Sequence, residues 1–388
     1  MNRKEFLANL ALVGTGAIMI PSLAKANAFG LGTDKKIKIG IIGAGSVAGV
    51  YLPHLNNSPY VEVVSVCDIK PERAQARAER FHVPNQYPHI NQMMAGADFD
   101  LLLNLTDMQE HGRLNTIAIL KGKHIWSEKP LANSYKEGFE LLQLAKKQGV
   151  KIWGAPAVVN SPQFAFMAKQ ITEGKLGTVA SAHAHYGHLG PNWSAFFYEK
   201  LGGSLPDLGV YNLTTLSGLL GPVKSVVAMT NILTPERTVE DKGKIEVEAE
   251  DNASVLMEHY NGAISHVMCG FNYFDPYGHQ GTGQDKPTVS VVGTKGAMHL
   301  IGYDWMPFAV EMATVDHEEP QKFSTDPGSY VWEQGGSVIS ESLAKGFEPL
   351  INVEHSLHVL EIIEAARKSQ AEGKRIQLES KFPYPVIM

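Results

Sequence analysis

Between residues 37 and 126 the apolar positions concentrate in short runs at 37–42, 61–67, 101–105 and 123–126. Between the runs they recur at helical spacing, as over 109–120. Strands covered on both faces lose the in–out alternation of half-exposed ones, so these runs read as a buried parallel sheet joined by crossover helices. The rhythm changes past residue 155. A helical stretch at 161–173 is followed by longer strand-like segments at 178–188, 223–232, 246–260, 263–270, 288–292 and 297–301. Asn261-Gly262 is a two-residue hairpin turn, which makes the strands on either side antiparallel neighbours. The pattern predicts an α/β domain with a parallel sheet over 35–155. After it comes an α+β domain with a large, mostly antiparallel open sheet over 156–388, one face covered and the other free to form an interface.

The first 28 residues do not belong to this pattern. Arg3-Lys4 forms a basic head, 8–20 is an apolar run too short to span as a stop-transfer helix, and Ala24-Lys25-Ala26 is a small-x-small cleavage site. Arg3-Lys4-x-Phe6-Leu7 resembles the twin-arginine export motif with Lys in place of the second Arg. Gly14, Gly16 and Pro21 interrupt any helical face that would belong to the fold. The segment is therefore expected to be an export signal that places the protein in the periplasm or outside the cell, with no membrane span in the mature chain. A net charge of −6 without a basic stripe argues against nucleic acid as a partner. Cys67 and Cys269 sit inside apolar strands and read as buried thiols.

Candidate chemistry begins at the end of the first strand, with Gly43-Ala44-Gly45-Ser46-Val47-Ala48. Gly43 permits a tight turn, Gly45 lets backbone approach a pyrophosphate, and small Ala48 lets the following helix pack on the strand. Ser46 and Val47 then open that helix, whose N-terminus faces the phosphates. Asp68 ends the second strand, where an acid binds ribose hydroxyls; its other reading is a cap for the helix opened by Pro71. Lys70 stands close enough to pair with a 2′-phosphate. The first domain is thus expected to be a Rossmann domain that holds NAD tightly, with NADP as the alternative.

The strand at 123–126 delivers Glu128-Lys129-Pro130. Together with Gly122-Lys123-His124-Ile125, Thr106, His111 and Glu354-His355-x-x-His358-Val359-Leu360-Glu361-Ile362, this turn resembles the Gfo/Idh/MocA family of sugar and polyol oxidoreductases from about residue 36 onward. The resemblance implies that Lys129 reaches nicotinamide and substrate, and that Thr106, His111 and Glu128 line the cofactor. It also implies that the open sheet builds dimers or tetramers. On physical grounds alone, Pro130 fixes the backbone and disfavours helix at Lys129, which projects from the carboxyl edge of the sheet where ligands bind.

In the second domain, a helix after Pro206 would put Asp207 and Tyr211 at i and i+4 on one face. Many family members carry Asp-x-Gly-x-x-x-His, with Asp orienting a His base. Tyr211 here instead resembles the glucose-fructose oxidoreductase and glucoside 3-dehydrogenase-like branch. Oxidising an alcohol requires loss of the hydroxyl proton as well as hydride. An ammonium beside a phenol stabilises the phenolate, so Tyr211 is expected to accept the proton, Lys129 to assist it and clamp substrate, and Asp207 to orient hydroxyls. The other reading makes Tyr211 a packing residue and a His the base. His183-x-His185-x-x-His188 invites a metal, but a hydride mechanism needs no Lewis acid and no Cys or carboxylate lies nearby, so none is expected. His185 and His188, continued by Asn192 and Trp193, read better as a sugar-binding wall. The aromatic stretch 271–279, with Gly281 and Gly283, covers either the site or a subunit boundary.

Three function classes follow. The first is an NAD(P)-dependent oxidoreductase acting on a secondary hydroxyl of a sugar or glycoside, such as C3 of a glucoside. The second is a redox-neutral NAD-dependent glycosidase working by transient oxidation and elimination. The third is a non-catalytic sugar- or NAD-binding module.

Overall fold

The computed structural model describes residues 36–274, 286–326, 328 and 330–387; the export segment expected at 1–28 and the part of the aromatic stretch from 275 to 283 lie outside the described residues. In the first half, strands and helices alternate as β1 (Ile37–Ile42), α1 (Ser46–Asn56), β2 (Val61–Cys67), α2 (Pro71–Phe81), β3 (Asn85–Tyr87), α3 (Ile90–Ala95), β4 (Leu101–Asn104), α4 (His111–Leu120), β5 (His124–Ser127), α5 (Tyr135–Gln148) and β6 (Ile152–Gly154). All six strands run parallel in the order β3-β2-β1-β4-β5-β6. The order reverses between β1 and β4, which opens a crevice at the strands' carboxyl ends. The edge strands β3 and β6, three residues each, are too short to register as apolar runs.

The second half contains α6 (Pro162–Thr172), β7 (Val179–Gly187), α7 (Val210–Leu220), β8 (Val223–Asn231), β9 (Glu236–Val239), β10 (Gly243–Glu246), β11 (Asn252–His259), β12 (Ile264–Gly270), β13 (Pro287–Gly293), β14 (Gly296–Tyr303), β15 (Met306–Thr314), β16 (His317–Phe323), α8 (Gly335–Lys345), α9 (Val353–Glu372) and β17 (Ile376–Gln377). Nine of the strands form one sheet, β16-β15-β14-β13-β7-β12-β11-β8-β17, antiparallel except where β7 meets β12. Helices α6, α7 and α9 pack on one face. On the other, Met229, Leu256, Ile264 and Val292 are exposed.

The strand expected at 246–260 is shorter: β11 covers Asn252–His259, and of the segment before it only Glu246 belongs to β10. Between β10 and β11 the Asp251 carboxylate accepts from Leu233 N at 2.7 Å and Thr234 N at 3.0 Å, and Glu250 turns toward Arg367. Sequence patterning also passed over β15 and β16. The second is polar and almost wholly exposed, as an edge strand is. Cys67 and Cys269 are buried and free.

The chain does not stay in the second domain after β16. Helix α8 returns to pack on β1, β2 and β5 of the first sheet. There His54 Nδ1 meets Ser337 Oγ at 2.9 Å, and Gly335 lies so close to Trp126 that a Cβ would stand 2.0 Å from the indole. Helix α9 then bridges α5 and β8. Its His355 and His358 are buried, bonded to Ser217 Oγ and to Val223 N at 2.8 Å each, and burial pushes both imidazoles down to about 3. The 354–362 signature is thus a structural fastening.

Candidate active site

The cofactor end of the site starts at the β1–α1 turn. Gly43 adopts φ +91°, and a Cβ there would stand 2.5 Å from the carbonyl of Leu105. At Gly45 a Cβ would meet only Arg73 Nη1, at 4.0 Å. The space over this glycine is open, and no side chain caps α1, whose exposed first residue is Ser46. Free N–H groups at an uncapped, glycine-lined helix start suit a pyrophosphate. Val47 is partly exposed beside them, and Ala48 is fully buried against the sheet. These residues fit a dinucleotide.

Asp68 directly follows β2, and its carboxylate already accepts from Ala44 N at 2.7 Å and Lys70 N at 2.8 Å. A carboxylate has about four acceptor sites, so two remain for ribose hydroxyls. The capping alternative is not realised: Lys70 is the N-cap of α2, no side chain caps that helix, and toward it Asp68 bonds only the Lys70 N–H that precedes it.

Thr106 follows β4, with its Oγ1 bonded to Asn104 Oδ1 at 2.7 Å. His111 and Glu128 correct the reading taken from resemblance. His111 is 1 % exposed, with Nδ1 2.6 Å from Pro130 O and Nε2 3.0 Å from Thr106 O, and its neutral ring donates to one of these carbonyls. Burial lowers its pKa. It braces the β4 and β5 turns against each other and presents nothing to a ligand. Glu128 is likewise buried, accepting from Tyr51 OH at 2.6 Å and from Lys129 N at 3.0 Å. Its work is to hold the lysine's turn.

Lys129 reaches across to the second domain. Its Nζ donates to Asp207 O at 2.8 Å and to Asp207 Oδ1 at 2.5 Å, and lies 5.3 Å from the centre of the Tyr211 ring. Asp207 occupies a π-helical turn, Leu205–Gly209, that runs directly into α7, on which Tyr211 is the second residue. The three expected catalytic residues therefore converge. The expected electrostatics do not. Lys129 is paired with Asp207 and meets the face of the phenol, while burial and the charges of Glu128, Asp207 and Asp304 raise the Tyr211 pKa well above its ordinary value. Tyr211 is a protonated phenol at neutral pH, so its hydroxyl can accept a proton only by passing one on.

The histidine motif is split by the sheet. In β7, Ala184 and Tyr186 are buried under the helices, whereas His183 and His185 lie on the open face. There His183 Nδ1 meets His266 Nδ1 at 3.0 Å, and the His183 and His185 rings stack at 5.7 Å. His185 is thus on the wrong side to join the wall beside Tyr211, because strand side chains alternate faces. His188, beyond the strand end, stays on the right side. Its ring is 6.0 Å from Tyr186, which is itself 6.1 Å from Tyr211. Asn192 and Trp193 are exposed on the rim loop, with Trp193 edge-on to Phe197 at 5.2 Å. The next turn is tied to the first domain by Gln109 Nε2 to Phe196 O at 2.8 Å. Among the described residues, no group of three or more His, Cys, Asp or Glu is arranged to hold a metal ion.

Residues 37–155 match an oxidoreductase family described as having an NAD-binding Rossmann fold, and residues 164–299 match the GFO/IDH/MocA C-terminal domain. The chain belongs to the Gfo/Idh/MocA family. This Gfo/Idh/MocA protein is 26 % identical over 344 residues to trans-1,2-dihydrobenzene-1,2-diol dehydrogenase of Mus musculus, covering 86 % of this chain and 96 % of that one. It is 25 % identical over 361 residues to scyllo-inositol 2-dehydrogenase (NADP(+)) of Bacillus subtilis, covering 88 % and 96 %. The crystal structure of aldose-aldose oxidoreductase from Caulobacter crescentus, complexed with glycerol, shares the fold with a TM-score of 0.75 at 20 % identity, over 89 % of this chain and all of that one. The Gfo/Idh/MocA protein is an NAD-binding oxidoreductase, and no helix among its described residues is long and apolar enough to cross a membrane.

Sequence reasoning missed the aromatic frame of the site. Tyr51 on α1 bonds Glu128, accepts from Trp126 Nε1 at 3.2 Å and packs edge-on to Trp332 at 5.8 Å. The available signal was a lone hydroxyl in the buried stripe Ala48, Tyr51, Leu52 and Leu55. Tyr186, Tyr303 and Trp305 pack together in the second domain, and no motif announces them.

Proposed function

We propose that this protein is an NAD-dependent dehydrogenase that oxidises a secondary hydroxyl of a sugar or glycoside, with C3 of a glucoside as the specific case to test first. The observation that carries the reading is the contact of Lys129 Nζ with Asp207 Oδ1 at 2.5 Å beneath the Tyr211 ring, at the carboxyl edge of the first sheet. An ammonium has three donors, and Asp207 takes two of them. The third is left for the substrate oxygen, where it stabilises the negative charge that develops as hydride departs. Bound NAD supplies the hydride acceptor. The Asp207 carboxylate fixes the lysine and has capacity left for a neighbouring hydroxyl. Tyr211 exchanges the hydroxyl proton, and the half-buried rings of Tyr211 and Trp305 offer faces to the apolar side of a sugar. The two curated relatives support this class, because the compounds in their names are six-membered carbon rings bearing adjacent hydroxyls.

Tyr211→Phe is expected to lower kcat by about 10²- to 10³-fold while NAD affinity stays put. Turnover within threefold of wild type would remove Tyr211 from the reaction.

The decisive assay uses purified protein without added cofactor, incubated with a nitrophenyl glucoside, plain sugars and inositols. With the export reading of residues 1–28, NAD is expected to co-purify and be released on denaturation. An oxidised sugar with reduction of bound NAD supports the dehydrogenase. Released aglycone without net NADH points to the redox-neutral glycosidase, and neither outcome leaves a binding module.

A further inference from the structure

The two glycines ahead of the catalytic turn take no part in the proposed chemistry, yet a charged pair is built onto them. Gly203 adopts φ +110°, and a Cβ there would stand 2.4 Å from Glu250 Oε1, so the carboxylate lies directly on the backbone that leads to Asp207. Glu250 stands between β10 and β11 and is 9 % exposed. Arg367 of α9 grips both of its oxygens, donating from Nε to Oε2 at 3.1 Å and from Nη2 to Oε1 at 3.0 Å. The same Nη2 donates to Gly202 O at 2.6 Å. Further along, Glu250 Oε1 accepts from Leu205 N at 3.3 Å, the Glu250 carbonyl accepts from Ser204 N at 2.8 Å, and Gly203 O accepts from Asp207 N at 3.3 Å.

The first N–H groups of a helical turn have no partner within it. The Ser204 side chain does not cap this one, and Pro206 carries no N–H, so Glu250 supplies the cap from outside, with a charge that suits a helix start. Residues 202–205 are thus each bonded to or packed on Glu250 or Arg367, just before Asp207. Among the described residues, neither Glu250 nor Arg367 bonds to Lys129, Tyr211 or the Asp207 side chain. A buried ion pair adds little stability over apolar packing, whereas its directional bonds select one backbone arrangement.

We propose that Glu250 and Arg367 are positioning residues: their ion pair fixes the turn that carries Asp207 and so sets where the Lys129 ammonium stands in the cleft. The effect on turnover rests on the dehydrogenase reading. Lys129 Nζ meets Asp207 O at 2.8 Å and Oδ1 at 2.5 Å, contacts that any shift of the turn would disturb. A misplacement of about 1 Å caused by a change remote from the reacting atoms can cost about 10²-fold in rate. Arg367 suits the task because its guanidinium is a planar fork that meets two carboxylate oxygens and keeps a further N–H for Gly202 O, which a lysine cannot do.

Arg367→Lys keeps the charge without the fork, Glu250→Gln keeps an oxygen for Leu205 N without the charge, and Arg367→Met removes the pair. Per folded molecule, kcat is expected to fall about 10-fold in each of the first two and about 100-fold in the third, with NADH affinity within about twofold of wild type because the β1–α1 turn is untouched. A pair that only stabilised the fold would lower Tm and leave kcat per folded molecule unchanged. Should Arg367→Met not fold, the two conservative variants carry the test. A second readout needs no substrate. If the pair presents Asp207 to Lys129, the drop in Tm caused by Lys129→Met should be at most about half as large in Arg367→Lys as in wild type, because coupled residues are not additive. Wild-type kcat in both conservative variants, or additive Tm shifts, overturns the proposal. A wild type inert toward every probe substrate overturns the dehydrogenase reading, and the Tm cycle still decides whether the pair positions Asp207.

Discussion

Lys129→Met is expected to abolish turnover, by roughly 10³-fold or more, because it removes the donor for the developing alkoxide and the group that holds Asp207. The pair is largely enclosed, with side-chain exposures of 15 % for Lys129 and 9 % for Asp207. Deleting one member strands the other's charge, which costs about 3 kcal/mol or more. The variant should therefore melt earlier than wild type, and Lys129→Met/Asp207→Asn should regain much of that loss without regaining activity, since contacting residues do not behave additively. Steady-state kinetics and denaturant melts on wild type, Lys129→Met, Asp207→Asn and the double variant test this. A single variant within tenfold of wild-type turnover would remove Lys129 from the chemistry.

Gly43→Ala carries the second large effect. The φ of +91° is hostile to a side chain, and the Cβ would collide at 2.5 Å with the backbone of Leu105, which has no flexible end to move aside. A loss of about 2 kcal/mol or more in stability is expected, together with loss of co-purified NAD. Gly45→Ala is the contrast. Its Cβ has room in the free protein, so stability should hold while NAD affinity falls, because the methyl occupies the pyrophosphate's approach. Thermal melts and NADH fluorescence titrations separate the two. Equal NAD affinity in Gly45→Ala and wild type would place the pyrophosphate elsewhere.

The first domain was legible because its buried strands are dense apolar runs and its turns carry glycine or proline where geometry demands them, as at Gly43 and Pro71. Asp207, Tyr211 and Lys129 were legible as a set because the lysine's turn and the segment after Pro206 each have a local signature. What they do to one another was not, because the Tyr211 pKa depends on which carboxylates the fold brings near it. Asp304 lies 93 residues from Tyr211 in the chain and reaches it only through the sheet. His185 was misplaced for a simpler reason. A strand turns over at every residue, and nothing in His183-x-His185-x-x-His188 says which face is covered. Glu128 and His111 were recognisable as characteristic residues, but whether such a residue touches a ligand or braces one that does is decided by burial.

Helix α8 makes the two halves inseparable. It is encoded after the second sheet yet completes the cover of the first, packing on β1, β2 and β5. A fragment ending at residue 155 would leave Trp126 and Leu103, which Gly335 and Gly336 approach in the intact chain, without their lid. Exchanging nucleotide-binding halves between relatives must carry residues 332–345 along with 36–155. The same return path means that the chain passes between the two halves of the molecule more than once.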